Sequence, residues 1–416
     1  MNVVRHNDLL CVSHVRWDDI YQRPHYLMSC AAKTRRVFFI EEPRLEDKGT
    51  TRLEIRCEER GVLVVVPFLP AGLTEEASHE MFAQLLDQMF SDHSIVDYTL
   101  WFYSAMPLPA FLDLSARGHQ PQSVVYDCVD EPAHCSFALP ELGVREAQLF
   151  GWADVVFTEG QSLYEAKGRH HDNAHAFPSS VDVDHFAKAT LHPDEPKDLQ
   201  DIPHPRIGFV GVIDERIDNL LLRQVAQVRP EWQFVMIGPV VNLSAGLLPQ
   251  ADNLHYLGQK VYKELPSYLA HFDVAMIPFT LDDATRFISP SKTPEYLAAG
   301  KSVISTSIRD VVCPYGEKDL VVIADDCHSF IAGIEHLLND DQTHRRSRAD
   351  AFVNRLSWDQ TWQDMERCLA KCVSAKKPVT HAYLPQHLKP LPATASLGRK
   401  AVAPSSVPSR AGKPVR

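Results

Sequence analysis

Apolar runs too short to be helices alternate with longer amphipathic stretches along most of the chain. Asp8-Leu9-Leu10-Cys11-Val12-Ser13-His14 is the first such run, and Arg36-Val37-Phe38-Phe39-Ile40 is the second. Val62–Val66, Tyr98–Tyr103, Ser123–Tyr126 and Asp154–Phe157 repeat the pattern, with Gln22–Lys33, Glu75–Phe90, Glu141–Gly151 and Gln161–Lys167 reading as helices between them. Strands alternating with helices predict a mostly parallel sheet covered on both faces. Residues 187–205, rich in Pro, Asp and Lys, read as a linker. A second series begins at Arg206–Val212 and runs through Gln233–Pro239, Asn253–Gly258, Asp273–Phe279, Ser302–Thr306 and Val321–Ala324. Two such series predict an α/β protein of two Rossmann-like domains facing each other across a cleft. Trp358–Lys371 then reads as a helix with Trp362, Met365 and Leu369 on one side. The expected divisions are 1–190, 191–357, a helix within 358–375, and a tail over 376–416.

Composition changes the picture in four places. The tail holds eight Lys/Arg, seven Pro and no Asp or Glu, so it cannot bury enough apolar surface to fold and is expected to be disordered. The whole chain of 416 residues carries a formal charge of −12, which disfavours nucleic acid as a partner. No apolar run approaches the roughly 20 residues of a membrane span, and the start shows no signal-peptide pattern. The nine cysteines are scattered, without the partners of a zinc site, and read as reduced thiols. The expectation is a cytoplasmic protein with no bound metal. Lys33, Arg35, Arg36 and the basic tail also suggest a weak, salt-sensitive association with an anionic inner membrane face.

Candidate chemistry centres on Phe287–Ile304. Ser289-Pro290-Ser291-Lys292-Thr293-Pro294 announces a helix start, and Gly300 a stop. A helix start beside Lys292 suits a phosphate, and Glu295 one turn on suits ribose hydroxyls. An ordinary loop and helix would also explain these residues. Gly211, in Gly208-Phe209-Val210-Gly211-Val212, permits close backbone approach to a diphosphate, and Arg216 could neutralise it. In the first half, Trp17-x5-Arg23-Pro24-His25 puts a guanidinium and an imidazole at the carboxyl edge of the sheet. The plainer alternative there is a surface loop with Arg23 in a salt bridge. Asp127 and Asp130, at a strand end with His134 nearby, face a cleft or simply shape a turn. Arg23, His25, Asp127 and Asp130 are expected to converge on the cleft.

Ser289-Pro290-x-Lys292-x-x-Glu295-Tyr296-Leu297-Ala298-Ala299-Gly300-Lys301-x-Val303-Ile304 resembles the donor-binding signature of the GT-B glycosyltransferases of the family-4-like, glycosyl transferases group 1 type. Trp17-x5-Arg23-Pro24-His25 with Phe39-Ile40-Glu41-Glu42-Pro43 resembles a bacterial branch of teichuronic acid glycosyltransferases, some relatives of which are associated with UDP-galactopyranose mutase. The resemblance covers roughly residues 8–372. It implies GT-B architecture, with residues 1–190 as acceptor domain, 191–357 as donor domain and the final helix crossing back onto the first. It implies transfer of a sugar from a nucleotide-diphosphate sugar, UDP in preference to GDP, to a glycan or lipid-linked acceptor in surface polysaccharide synthesis, with retention of configuration. Ser289, Pro290, Ser291, Lys292 and Gly211 would hold the diphosphate, Glu295 the ribose, and backbone near Val261 the base. Asp127, Asp130, Arg216 and Lys292 would be catalytic, and Trp17, Arg23 and His25 would bind acceptor. No cofactor beyond the nucleotide-sugar co-substrate is implied. The family usually carries an acidic residue eight positions before the ribose glutamate, where this chain has Phe287. The alternatives are another GT-B chemistry, such as sugar-nucleotide epimerisation, and a catalytically degenerate scaffold.

Overall fold

Fifteen short strands form two sheets in a computed structural model that describes residues 7–47, 50–131, 140–241, 248–283, 285–339 and 341–375. His134 and the tail over 376–416 lie outside the described residues. The first sheet contains β1 (Asp8–Ser13), β2 (Val37–Glu41), β3 (Arg44–Glu46), β4 (Arg52–Cys57), β5 (Val62–Pro70), β6 (Tyr98–Phe102), β7 (Ser123–Cys128), β8 (Val155–Thr158) and β9 (Ala174–Ala176). Its order is β3-β5-β2-β1-β6-β7-β8-β9, with β4 antiparallel on β5 and the other pairings parallel. The second sheet contains β10 (Arg206–Val210), β11 (Gln233–Ile237), β12 (Leu254–Gly258), β13 (Val274–Ile277), β14 (Ser302–Ser305) and β15 (Val322–Ile323). It is parallel throughout, in the order β12-β11-β10-β13-β14-β15.

Strand alternation distributes the core. Leu10 and Val12 of β1, with Phe38 and Ile40 of β2, pack on one face of the first sheet against Phe82, Leu86 and Phe111. Leu9, Cys11, Val37 and Phe39 point to the other face. That face is covered by the helix Arg23–Ala31 and by the helix Trp358–Ala375, whose Trp358, Trp362, Met365 and Leu369 are buried there. Trp362 lies 5.6 Å from Trp101 of β6, and Trp358 stacks on Tyr26 at 4.7 Å and 8°. Residues far apart in the chain thus close one core. Among the described residues no helix is long and apolar enough to cross a membrane.

The segment read as a linker is not loose. Leu199 and Ile202 are buried in the second lobe's core, and the buried Arg206 guanidinium donates to the Leu199 and Ile202 carbonyls and pairs with Glu195. Strand order reverses between β1 and β6 in the first sheet and between β10 and β13 in the second, and parallel sheets bind ligands beyond their carboxyl ends at such points. The lobes touch through the Tyr26 and Tyr262 hydroxyls, 2.6 Å apart, and His185 stacks on Tyr262 at 4.0 Å from within the second lobe. The Asp310 carboxylate also accepts from the Ser162 amide of the first lobe at 3.0 Å. Gly160 makes that approach possible, since a Cβ there would stand 2.0 Å from Asp310 Oδ2.

Candidate active site

The carboxyl ends of both sheets open onto one cavity of about 200 Å³. The first lobe lines it with residues following β1, β7 and β8, including His14, Tyr21, Asp130 and Glu159. The second lobe contributes Gly211 and Arg216 after β10, Phe279 after β13, and the run Ile288–Lys292.

The second-lobe wall is basic and close to backbone. Gly238, at φ 145°, backs directly on Gly211, and a Cβ there would fall 1.8 Å from the Gly211 carbonyl oxygen. On Gly211 itself a Cβ would stand 3.3 Å from Lys292 Cε, so the lysine stem lies over this glycine. Lys292 Nζ donates to Glu295 Oε2 at 3.1 Å. Burial raises the Glu295 pKa, and Lys292 opposes the rise. Arg216 reaches the cavity in a bidentate pair with Asp214, Nε–Oδ1 2.8 Å and Nη2–Oδ2 2.5 Å. The helix after this loop spans only Lys292–Ala298, and Ser291 precedes it without a side-chain cap, against the capping reading of the sequence. Glu295 is buried behind Lys292 and does not line the cavity, nor does Val261, which is exposed at the start of the turn holding Tyr262.

On the first-lobe wall the structure separates the residues expected to converge. Asp130 is exposed and lines the cavity. Arg23 borders it, but its guanidinium is spent on a buried pair with Asp127, Nε–Oδ2 3.1 Å and Nη2–Oδ1 2.9 Å, and on the Phe177 carbonyl at 2.7 Å. Burial alone would lower the Arg23 pKa, yet Asp127 outweighs it and the pKa is raised. Asp127 is fully enclosed, so it is placed as the counter-ion of Arg23 and not as a group open to substrate. His25 is likewise fully enclosed. Its Nδ1 accepts from the Gln22 amide at 3.1 Å, which leaves Nε2–H to donate to the Arg16 carbonyl at 3.1 Å. Burial lowers its pKa and keeps the ring neutral. Trp17 packs on His25 and Phe39 at 5.1 and 5.0 Å, outside the cavity lining. His25, Trp17 and Asp127 therefore shape the wall from behind.

The sequence reading passed over Glu159. It follows β8, lines the cavity, and accepts a hydrogen bond from the Ser179 hydroxyl. Burial pushes its pKa up to about 7, against the pull of Arg23 and Ser179, and Asp130 and Asp127 add to the rise. Its position at a strand's carboxyl end was the available signal. Phe287 does not line this cavity but packs against the first lobe's core. Among the described residues no group of three or more His, Cys, Asp or Glu is placed to hold a metal ion, and the eight described cysteines are free.

Residues 204–340 match the family model described as Glycosyl transferases group 1. The chain is 25% identical over 305 residues to TuaH of Bacillus subtilis strain 168, whose name assigns it to teichuronic acid biosynthesis as a glycosyltransferase. The match covers 67% of this chain and 72% of that one. In solved structures the fold is similar to sucrose-phosphate synthase from Thermosynechococcus elongatus, with a TM-score of 0.67, 14% identity, and coverage of 89% of this chain and 100% of the other. The E. coli trehalose-6-phosphate protein bound to UDP-2-fluoro glucose gives 0.67 at 13% identity over 89% and 100%. Anabaena Alr3699/HepE, in complex with UDP and glucose, gives 0.64 at 14% over 88% and 100%. The two-lobed fold is GT-B.

Proposed function

We propose, from the premise that this chain is a glycosyltransferase with a glycosyl transferases group 1 domain in its second lobe, that its donor is a uridine diphosphate sugar. The observation that carries this reading is the facing of two unlike walls across one cavity. Lys292, Arg216 and the Gly211–Gly238 backbone form a basic wall, and Asp130 and Glu159 form an acidic one. A diphosphate needs close backbone approach and cationic neighbours, and the basic wall offers both. Structures of similar fold bound to UDP or a UDP-sugar support uridine over guanosine. Glu295, one turn behind Lys292, is the proposed ribose acceptor, reached when Lys292 turns from it to the diphosphate.

In the transfer, the bond from the anomeric carbon to the diphosphate oxygen breaks and its electron pair stays on phosphate. The acceptor oxygen bonds to the same carbon, and its proton passes to the departing diphosphate oxygen. Charge thus develops on the diphosphate, where Lys292 and Arg216 stabilise it without a metal ion. Asp130 and Glu159 face the acceptor and hold its hydroxyls. We carry over retention of configuration and a glycan or lipid-linked acceptor of a bacterial surface polysaccharide from the resemblance to the teichuronic acid branch. Calorimetric titration with UDP and GDP tests the donor assignment. Saturable 1:1 binding of UDP, tighter than GDP, is expected, and no heat from either nucleotide would overturn it.

A further inference from the structure

A second groove, of about 420 Å³, is lined by residues of both lobes. Phe287 lines this groove, while Ile288 and Ser289 line the cavity described above. Three exposed arginines converge on it, Arg169 from the first lobe and Arg286 and Arg309 from the second. Among the described residues the groove has a single carboxylate in its lining, Glu165, and it is taken by Arg309 at 2.5 Å. Arg286 stands 5.3 Å over the ring of Phe287, which lines the groove with it. Among the described residues neither Arg169 nor Arg286 pairs with a carboxylate. On a chain of net charge −12, this is a local excess of positive charge where the overall field repels anions. Planar guanidiniums from two directions suit a phosphoryl group, whose oxygens each accept from a separate fork.

We propose that this groove is an anion subsite that takes the phosphoryl or pyrophosphoryl group of a phosphorylated acceptor, beside the donor and distinct from the diphosphate site at Lys292. The assignment to an acceptor rests on the glycosyltransferase reading above. The anion site itself rests on the three arginines. A ligand there touches both lobes, beside the contacts by which Arg309 and Asp310 meet the first lobe.

The test uses inorganic pyrophosphate, titrated into the full chain already saturated with UDP. Saturation blocks the donor diphosphate site and leaves the groove. One equivalent of pyrophosphate should bind, with affinity falling as salt rises. In the double variant R169Q/R286Q its Kd should rise at least tenfold, while UDP affinity stays within twofold and reports an intact fold. No uptake by the UDP-saturated wild type, or uptake unchanged in the double variant, would overturn the proposal. A wild type that binds no UDP sinks the donor reading instead. In that case pyrophosphate uptake that disappears in R169Q/R286Q still upholds the groove.

Discussion

Lys292 and Glu295 share an ion pair across one helical turn, and their separate functions are testable because they act at different stages. Glu295→Gln keeps shape but removes charge from the bond to ribose. That costs on the order of 1.5–3 kcal/mol, or about ten- to a hundredfold in UDP affinity by calorimetry. Lys292→Ala should lower the rate of UDP release from a UDP-sugar more than it lowers UDP affinity, since diphosphate charge grows in the transition state. Wild-type affinity and turnover in both variants would remove the donor site from this loop. Single residues were legible where local chemistry decides them. Lys292, Ser289 and Gly211 stand in the cavity because Ser289 and Lys292 share one loop, and Gly211 follows β10, which pairs with β13 ahead of that loop. Arg23 and Asp127 were legible as types and not as roles. The sequence shows a guanidinium and a carboxylate at strand ends. It does not show that 104 residues of separation bring them into one buried pair, which consumes both. His25 misled for a similar reason, since its ring closes the start of its own helix.

At the scale of elements, the helix Trp358–Ala375 shows how much one amphipathic stripe can carry. Trp358, Trp362, Met365 and Leu369 recur at helical spacing and enter the first lobe's core. Trp362→Ala should cost about 3–5 kcal/mol, read as a lower urea midpoint for unfolding of the first lobe. An unchanged midpoint would mean the helix is only laid on the surface. This stripe was readable from sequence because its period and its aromatic residues agree. Strand β4 was not, because Arg52-Leu53-Glu54-Ile55-Arg56-Cys57 is charged and largely exposed, with pairing on β5 as its main support. The three-residue β9 carries too little pattern to be seen. The Pro-rich stretch at 187–205 looked like a linker by composition, yet Arg206 ties its turns to the second lobe through hydrogen bonds that no local pattern announces.

For the whole molecule, the buried carboxyl groups at the cleft set a dependence on pH. Glu159 has an ordinary value of 4.5 and a folded value of about 7, so the folded state holds its proton more tightly. The stability this contributes is fully present below pH 4.5 and is lost as pH rises through about 7. Glu159→Gln has no proton to lose, so its melting temperature should gain on the wild type by roughly 2–4 °C between pH 5 and pH 8. A constant difference across that range would show that the carboxyl titrates normally. This property could not be read in advance, because it depends on burial and on Arg23, Asp127, Asp130 and Ser179 gathering around one side chain from three other parts of the chain. The path of the final helix has a further consequence for the order of events during synthesis. The ribosome delivers β1 to β9 first, but Trp101 and Phe157 wait for Trp358 and Trp362 to complete their core. The amino-terminal half therefore keeps an apolar face open to the cell throughout translation of the second lobe, and the nascent chain can seal it only when its last described helix emerges.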